Sequence, residues 1–136
     1  MEWVKFKAAE HDSYIYRGSS SISMDILGRF LYCDVRCSEI SFFKRWALAD
    51  KTDPRSQFTY SIGGNATFLE EEDDGYIYLF DRTESFSPKL LSQYLKISRS
   101  QFVQLLDEWQ EKFCKEKPKE VIIKHENDQF FIETNN

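Results

Sequence analysis

Between Ser98 and Lys117, Phe102, Leu105, Leu106, Trp109 and Phe113 recur at three- and four-residue steps, which places them on one stripe of an α-helix. Ser98 stands just before this pattern and Gln101 three residues later, so the stretch opens as a capping box, with the Gln side chain reaching back to the cap. Pro118 ends it, because the residue before a proline avoids the helical region. Glu108/Lys112 and Glu111/Lys115 lie on the polar face in the favourable i,i+4 order. A helix of this kind needs a sheet or another helix to cover its apolar stripe.

Elsewhere the period is two. Val4 and Phe6 alternate with Lys5 and Lys7, which predicts a half-buried strand over Glu2–Ala8. Tyr14-Ile15-Tyr16 predicts a second short strand, closed by Gly18 and the serines after it. Ile22–Val35 fits two patterns: Ile26, Leu27, Phe30 and Leu31 have helical spacing, with Ser23 or Asp25 able to cap, while Phe30–Val35 is strand-like. The preferred reading there is helix followed by strand. Ser38–Leu48 suits a helix through Phe42, Phe43, Trp46 and Ala47, with gapped strands as the alternative, and Asp50–Ser56 reads as a loop. Phe58, Tyr60 and Ile62 alternate, Gly63-Gly64-Asn65 turns the chain with residues that tolerate positive φ, and Ala66–Leu69 resumes extended structure. Tyr76–Asp81 puts Tyr76, Tyr78 and Phe80 on one face and Ile77 and Leu79 on the other, as in a strand covered on both sides. Ser85–Ile97 reads either as a short helix capped at Ser87-Pro88 or, preferably, as a strand over Leu91–Ile97. Val121–Lys124 and Phe130–Thr134 form a terminal hairpin around Glu126-Asn127-Asp128. The order of elements predicts one α+β domain over residues 1–136. It comprises an antiparallel sheet, meander plus C-terminal hairpin, with one long amphipathic helix on one face and less defined N-terminal elements.

The totals sharpen this picture. With 136 residues, 16% of them aromatic, the chain can bury a core without staples. A net charge of −5 disfavours direct contact with nucleic acid phosphates and favours a basic protein partner. Three cysteines, an odd number, an opening Met1-Glu2-Trp3-Val4-Lys5 unlike a signal peptide, and no run apolar enough to span a bilayer point to a reducing cytoplasm.

Motifs of chemistry are few. Cys33-x-x-x-Cys37 with Cys114, His11 and His125 lacks the paired spacing of zinc sites, so small apolar roles are expected of the thiols and no metal or cofactor is expected. No nucleophile elbow, zinc-protease helix or phosphate-binding loop occurs, and Gly63-Gly64-Asn65 joins strands rather than a strand and a helix. The conspicuous feature is the acidic block Glu70, Glu71, Glu72, Asp73 and Asp74, read as an exposed prong for Lys or Arg of a partner or as a solvated loop end. A calcium loop would need alternate ligands and a glycine at its sharp turn. Trp3, Tyr14, Tyr16, Tyr76 and Tyr78 face solvent unless residues 22–48 cover that side of the sheet. Aromatic anchors beside a charged rim are what a protein-binding face needs.

Gly-Gly-Asn-Ala-Thr-Phe-Leu, the strand Tyr76–Asp81, the capped stretch Ile97–Trp109 and Lys117–Ile123, together within residues 56–134, resemble small bacterial immunity proteins of polymorphic toxin and contact-dependent growth inhibition systems. The resemblance implies a cytoplasmic, non-enzymatic protein that binds and neutralises one cognate toxin domain, a basic nuclease being the natural target of an acidic binder. Glu70–Asp74 would steer the encounter, and Tyr76 and Tyr78 would anchor it. An adaptor unrelated to toxins is the first alternative. A small enzyme is the second, and a pocket holding His11 or His125 near a carboxylate or thiol would favour it.

Overall fold

The computed structural model of the protein describes residues 1–9, 13–82 and 93–136. His11 and the Ser87-Pro88 cap lie outside the described residues. Among the described residues eight strands form two antiparallel four-stranded sheets: β1 (Glu2–Ala8), β2 (Tyr14–Ser19), β7 (Glu120–Glu126) and β8 (Gln129–Asn135) in the order β2-β1-β7-β8, and β3 (Ser61–Gly63), β4 (Thr67–Glu71), β5 (Tyr76–Asp81) and β6 (Leu95–Ser98) in sequence order. Among the described residues the α-helices are α1 (Ile22–Arg29), α2 (Ile40–Leu48) and α3 (Arg99–Trp109). The architecture is α+β, but the single sheet and single long helix expected from the sequence are replaced by two sheets and three helices. The physical reason is pairing choice: β7 and β8 join β1 at the other end of the chain instead of extending the β3–β6 series.

Residues 22–35 contain no strand. Ser21, not Ser23 or Asp25, caps α1, its Oγ accepting from Met24 N at 3.2 Å. The chain then runs through a π-helical turn, Phe30–Asp34, that buries Phe30, Leu31 and Asp34. α2 follows a 3₁₀ turn at Cys37–Glu39 and buries Ile40, Phe43, Trp46 and Ala47. α3 is shorter than its apolar pattern suggests, passing into a second π-helical turn over Gln110–Lys115. Ser98 Oγ accepts from Gln101 N at 3.2 Å, but the Gln101 amide does not return to the cap. It donates to the carbonyl of Asp128 in the β7–β8 turn instead.

One contiguous core joins these parts, with Phe6, Met24, Phe30, Trp46, Leu79, Phe102, Trp109 and Ile123 among its members. α1 packs on β1 and β2 and also touches β5 and β6, while α3 packs on β5, β6 and β8, so both helices contact both sheets. Gly28 permits the approach of α1: a Cβ there would lie 2.6 Å from Val4 Cγ2 and 2.7 Å from Tyr16 Cε2. Arg29 adds polar links, pairing with Asp25 at 3.1 Å and with Asp81 of β5 at 3.0 Å. Tyr16 of β2 donates its hydroxyl to Asp25.

The Gly-Gly-Asn-Ala-Thr turn has an unforeseen occupant. Asp34, 5% exposed, accepts from the backbone N–H groups of Asn65 (2.6 Å), Ala66 (2.8 Å) and Thr67 (3.0 Å) and from the Thr67 hydroxyl (2.5 Å). Successive N–H groups curled around an anion form a nest, here filled by an internal carboxylate. The glycines are needed for contact rather than for the positive φ expected of them. A Cβ on Gly64 would stand 2.3 Å from Asp34 Cγ, and one on Gly63 2.6 Å from the Phe68 ring. The positive-φ glycines are Gly18 and Gly75.

The cysteines depart from the expectation of three thiols. Cys37 and Cys114 form a disulfide with a Cα–Cα separation of 5.9 Å, joining the 3₁₀ turn before α2 to the π turn after α3. Cys33 is the free, exposed cysteine.

Two stability measurements follow. Asp34→Asn places an NH₂ group against donors of the nest and is expected to cost about 2–3 kcal/mol in urea unfolding; a loss below about 0.5 kcal/mol would deny the nest its role. A thiol reductant is expected to remove about 4.5 kcal/mol, the chain-entropy value for a cross-link with a sequence separation of 77 residues. An unchanged midpoint under reductant would mean that the bond does not form in solution.

Candidate functional site

β4, β5 and the turn between them carry the residues Glu70–Asp74, Tyr76 and Tyr78 that the sequence marks for partner contact, and they sort those residues in unlike ways. Alternation along β4 sends Leu69 and Glu71 inward, so the acidic block is not one prong. Glu71 is 9% exposed and is a correction to the expected surface. Its Oε1 accepts from Arg99 Nη2 at 2.8 Å and Nε at 3.2 Å and lies 3.4 Å from Lys51 Nζ. The Lys51 side chain is fully buried, with its ammonium 4.7 Å from the centroid of the Trp46 ring. Burial pushes the Lys51 pKa down, while Glu71 beside it acts in the opposite sense. This cluster ties the 49–60 loop and α2 to β4 and to the start of α3. The sequence offered no sign of it, since Lys51 sits in a polar loop.

Glu70 is half-buried, and burial followed by the nearby Glu72 raises its carboxyl pKa. Glu72–Gly75 makes the β4–β5 turn, closed by Gly75 N to Glu72 O at 2.9 Å and helped by Gly75 at φ +81. Asp73 is exposed there. Asp74 is exposed but holds the turn: it accepts from Tyr76 N at 3.0 Å and from the Tyr78 hydroxyl at 2.6 Å. Tyr78, 5% exposed, is therefore a buried member of the core edge rather than an anchor for a partner, and burial holds its phenol far above the usual range. Tyr76, 38% exposed, remains at the surface with Lys96 Nζ 4.3 Å from its ring centroid. Trp3, Tyr14 and Tyr16 are half-buried, because α1 and the second π turn cover parts of the first sheet.

Tyr76 opens onto a cleft of about 460 Å³ between β6 of one sheet and the ends of β1, β7 and β8 of the other. Its walls include Glu2, Tyr94, Lys96, Gln101, His125 and Asp128. Strand register builds the far wall. Glu2 stands opposite His125 in the β1–β7 pair, giving a contact of 3.3 Å between Oε2 and Nδ1. His125 stands opposite Phe130 in the β7–β8 pair, and the two rings stack at 4.2 Å. Asn127 and Asp128, both at positive φ, make the turn that receives the Gln101 amide.

Chemically the cleft offers a histidine–carboxylate pair, exposed aromatic surface and an acidic rim. Its described serine hydroxyls serve the fold: Ser23 Oγ donates to Tyr94 O at 2.8 Å, and Ser98 caps α3. No cysteine is among the described residues that line the cleft with His125. Among the described residues no cluster of three or more His, Cys, Asp or Glu could hold a metal ion, and no helix is long and apolar enough to cross a membrane. Comparison with protein-family models, curated proteins and solved structures finds no match to this chain.

The acids separate by experiment. Glu71→Gln leaves Lys51 and Arg99 without their counter-charge and is expected to lower stability by about 3 kcal/mol. Glu72→Gln with Asp73→Asn is expected to stay within about 0.5 kcal/mol of the wild type in the same unfolding assay. Equal effects would mean that the block acts as one unit.

Proposed function

We propose that this chain is an immunity protein, which binds a cognate toxin domain, a basic nuclease by the chemistry of its substrate, and neutralises it by direct protein–protein contact without chemistry of its own. The observation that carries the reading is the continuity of the turn Glu72–Asp74, with Glu72 half-buried and Asp73 and Asp74 exposed, the exposed ring of Tyr76 and the inter-sheet cleft behind it. Acids at a rim steer a basic partner, and a ring beside a concavity supplies the desolvated centre of a tight interface. The net charge of −5 acts in the same direction. Of the residues first marked from the sequence, Glu72, Asp73 and Tyr76 remain contact residues, Asp74 shapes the turn, and Glu70, Glu71 and Tyr78 support it from within. The proposed compartment is the cytoplasm, where a nuclease toxin finds its substrate. Thiol systems there reduce accessible disulfides, and Cys37 is exposed, so in that setting the fold would have to persist with the cross-link open.

A second reading, a small enzyme, has one observation in its favour: His125 beside Glu2 in a cleft. The described cleft serines already engage backbone groups, Ser23 at Tyr94 O and Ser98 at Gln101 N, so both are engaged in the fold. An adaptor unrelated to toxins would use the same surface with a different partner.

The decisive experiment is co-expression with the C-terminal fragment of the protein encoded immediately upstream, followed by pull-down and a growth assay. The reading expects a stoichiometric complex and rescue of growth. Tyr76→Ala is expected to weaken binding at least tenfold, and Glu72→Gln with Asp73→Asn to slow association and flatten its salt dependence. Absence of both capture and rescue would refute the toxin reading, and a complex indifferent to all three changes would move the interface elsewhere.

A further inference from the structure

Alternation sends one side of each strand of the first sheet to the core, where Val4 and Phe6 of β1, Val121 and Ile123 of β7, and Phe130 and Ile132 of β8 are buried. α1 and α3 lie on that side: Gly28 of α1 approaches Val4, and the Trp109 ring of α3 meets Phe6 edge-on at 5.2 Å. The residues between point the other way. Lys7, Ile15, Arg17, Phe131 and Glu133 are exposed there. Trp3, Lys5, Ile122 and Lys124, on the two central strands, are half-buried. This outer face therefore mixes apolar side chains with charges of both signs.

Its charge is polarised across the strands. The β2–β1 half carries Lys5, Lys7 and Arg17, and the β7–β8 half carries Glu120, Glu126 and Glu133 together with Lys124. Register sets the halves in rows. Trp3 stands opposite Lys124, Lys5 opposite Ile122, and Lys7 opposite Glu120. Glu133 extends the Lys5–Ile122 row at one edge. Arg17 extends it at the other, between Gly18 and Tyr16, the partners of Lys5 and Phe6, where the register slips. Consider two copies packed face to face about a two-fold axis that runs along the strands between β1 and β7. Each row then meets its own reverse. Arg17 lies over Glu133 of the second copy, Lys7 over Glu120, and the Trp3 ring over Lys124. An axis across the strands would instead set each half on itself, like charge on like. The ties within one copy are surface contacts: Lys124 to Glu133 at 2.7 Å, and Asn135 to Glu120 at 2.9 Å. Exposed pairs of this kind contribute at most about 1 kcal/mol, so Glu133 can take a second cation.

We propose that the outer face of the first sheet binds a second copy of this chain, in an isologous dimer whose two-fold axis runs along the strands. The contact is a pair of aligned, facing sheets with Trp3, Ile15, Ile122 and Phe131 as its apolar part. The contact closes on itself, so the assembly stops at two. Four strands about 4.8 Å apart and up to about seven residues long cover roughly 19 by 24 Å. That is a small interface, which places the affinity in the micromolar range. Glu2, His125 and Phe130 belong to the opposite side of the same strands, so both cleft mouths stay open in the dimer. The inference does not rest on the toxin-binding reading, and its test needs no other protein.

The test is sedimentation equilibrium of the full chain over about 5–500 µM, a range that brackets micromolar affinities. Salt is held at about 0.15 M, where a Debye length of about 8 Å screens the long-range repulsion between two copies of net charge −5. The expected result is a monomer–dimer equilibrium. Arg17→Glu and Glu133→Arg each set like charges together twice in the dimer, and each is expected to weaken it about tenfold or more. An equimolar mixture of the two variants restores opposite signs at both contacts and is expected to dimerise within about threefold of the wild type. Glu133→Arg also loses its Lys124 pair, but that loss persists in the mixture and cannot imitate the rescue. A wild-type chain that stays monomeric throughout, open-ended assemblies, reversals without effect, or a mixture no stronger than either variant alone would each overturn the proposal. If one variant does not fold, the wild-type series and the other variant decide.

Discussion

The carboxylate of Asp34, held by the backbone of the β3–β4 turn, is the interaction on which the arrangement of this protein rests. Its desolvation is offset by the N–H groups of residues 65–67 and the Thr67 hydroxyl. Those donors belong to the second sheet, whereas Asp34 ends the helical segment that begins with α1 on the first. The nest therefore fixes where β4 starts relative to α1. From that point the pleat decides the rest: Leu69 and Glu71 turn inward, the chain reverses through Glu72–Gly75, and Tyr76 emerges at the lip of the inter-sheet cleft.

Two kinds of acid follow from this geometry, and they do unlike work. Asp34, Glu71 and Asp74 are engaged by backbone donors, cations or a phenol, and each holds one segment against another. Asp73 at the turn is exposed and adds to the negative field around the cleft mouth. A run of charges that looks uniform in sequence is thus split by strand alternation and turn chemistry. The disulfide ties the entry of α2 to the exit of α3.

Local periodicity made much of this legible. The alternation of Val4 and Phe6 marked β1, the spacing from Phe102 to Trp109 marked α3, and Ser98 marked its cap. What stayed hidden was non-local. Nothing near Glu2 announces that it will face His125 across the β1–β7 ladder, so neither the cleft nor the division into two sheets could be read from the chain. Phe30–Asp34 is apolar enough to suit a strand or a helix, and only packing selects the π turn. Gln101 fits a capping box by spacing, yet its amide bonds Asp128, a partner supplied by tertiary structure. The Gly-Gly-Asn-Ala-Thr turn did carry a signal: adjacent glycines imply a close approach, and the approaching group proved to be the Asp34 carboxylate.

The central claim is that the mouth of the inter-sheet cleft is the partner-binding surface. Amide hydrogen exchange of this chain, alone and with the C-terminal fragment of the protein encoded immediately upstream, tests it most directly. The account predicts added protection over residues 72–76, 95–98 and 125–130, with α2 and β2 unchanged. Protection confined to α2 or β2, with the cleft exchanging as in the free protein, would contradict it.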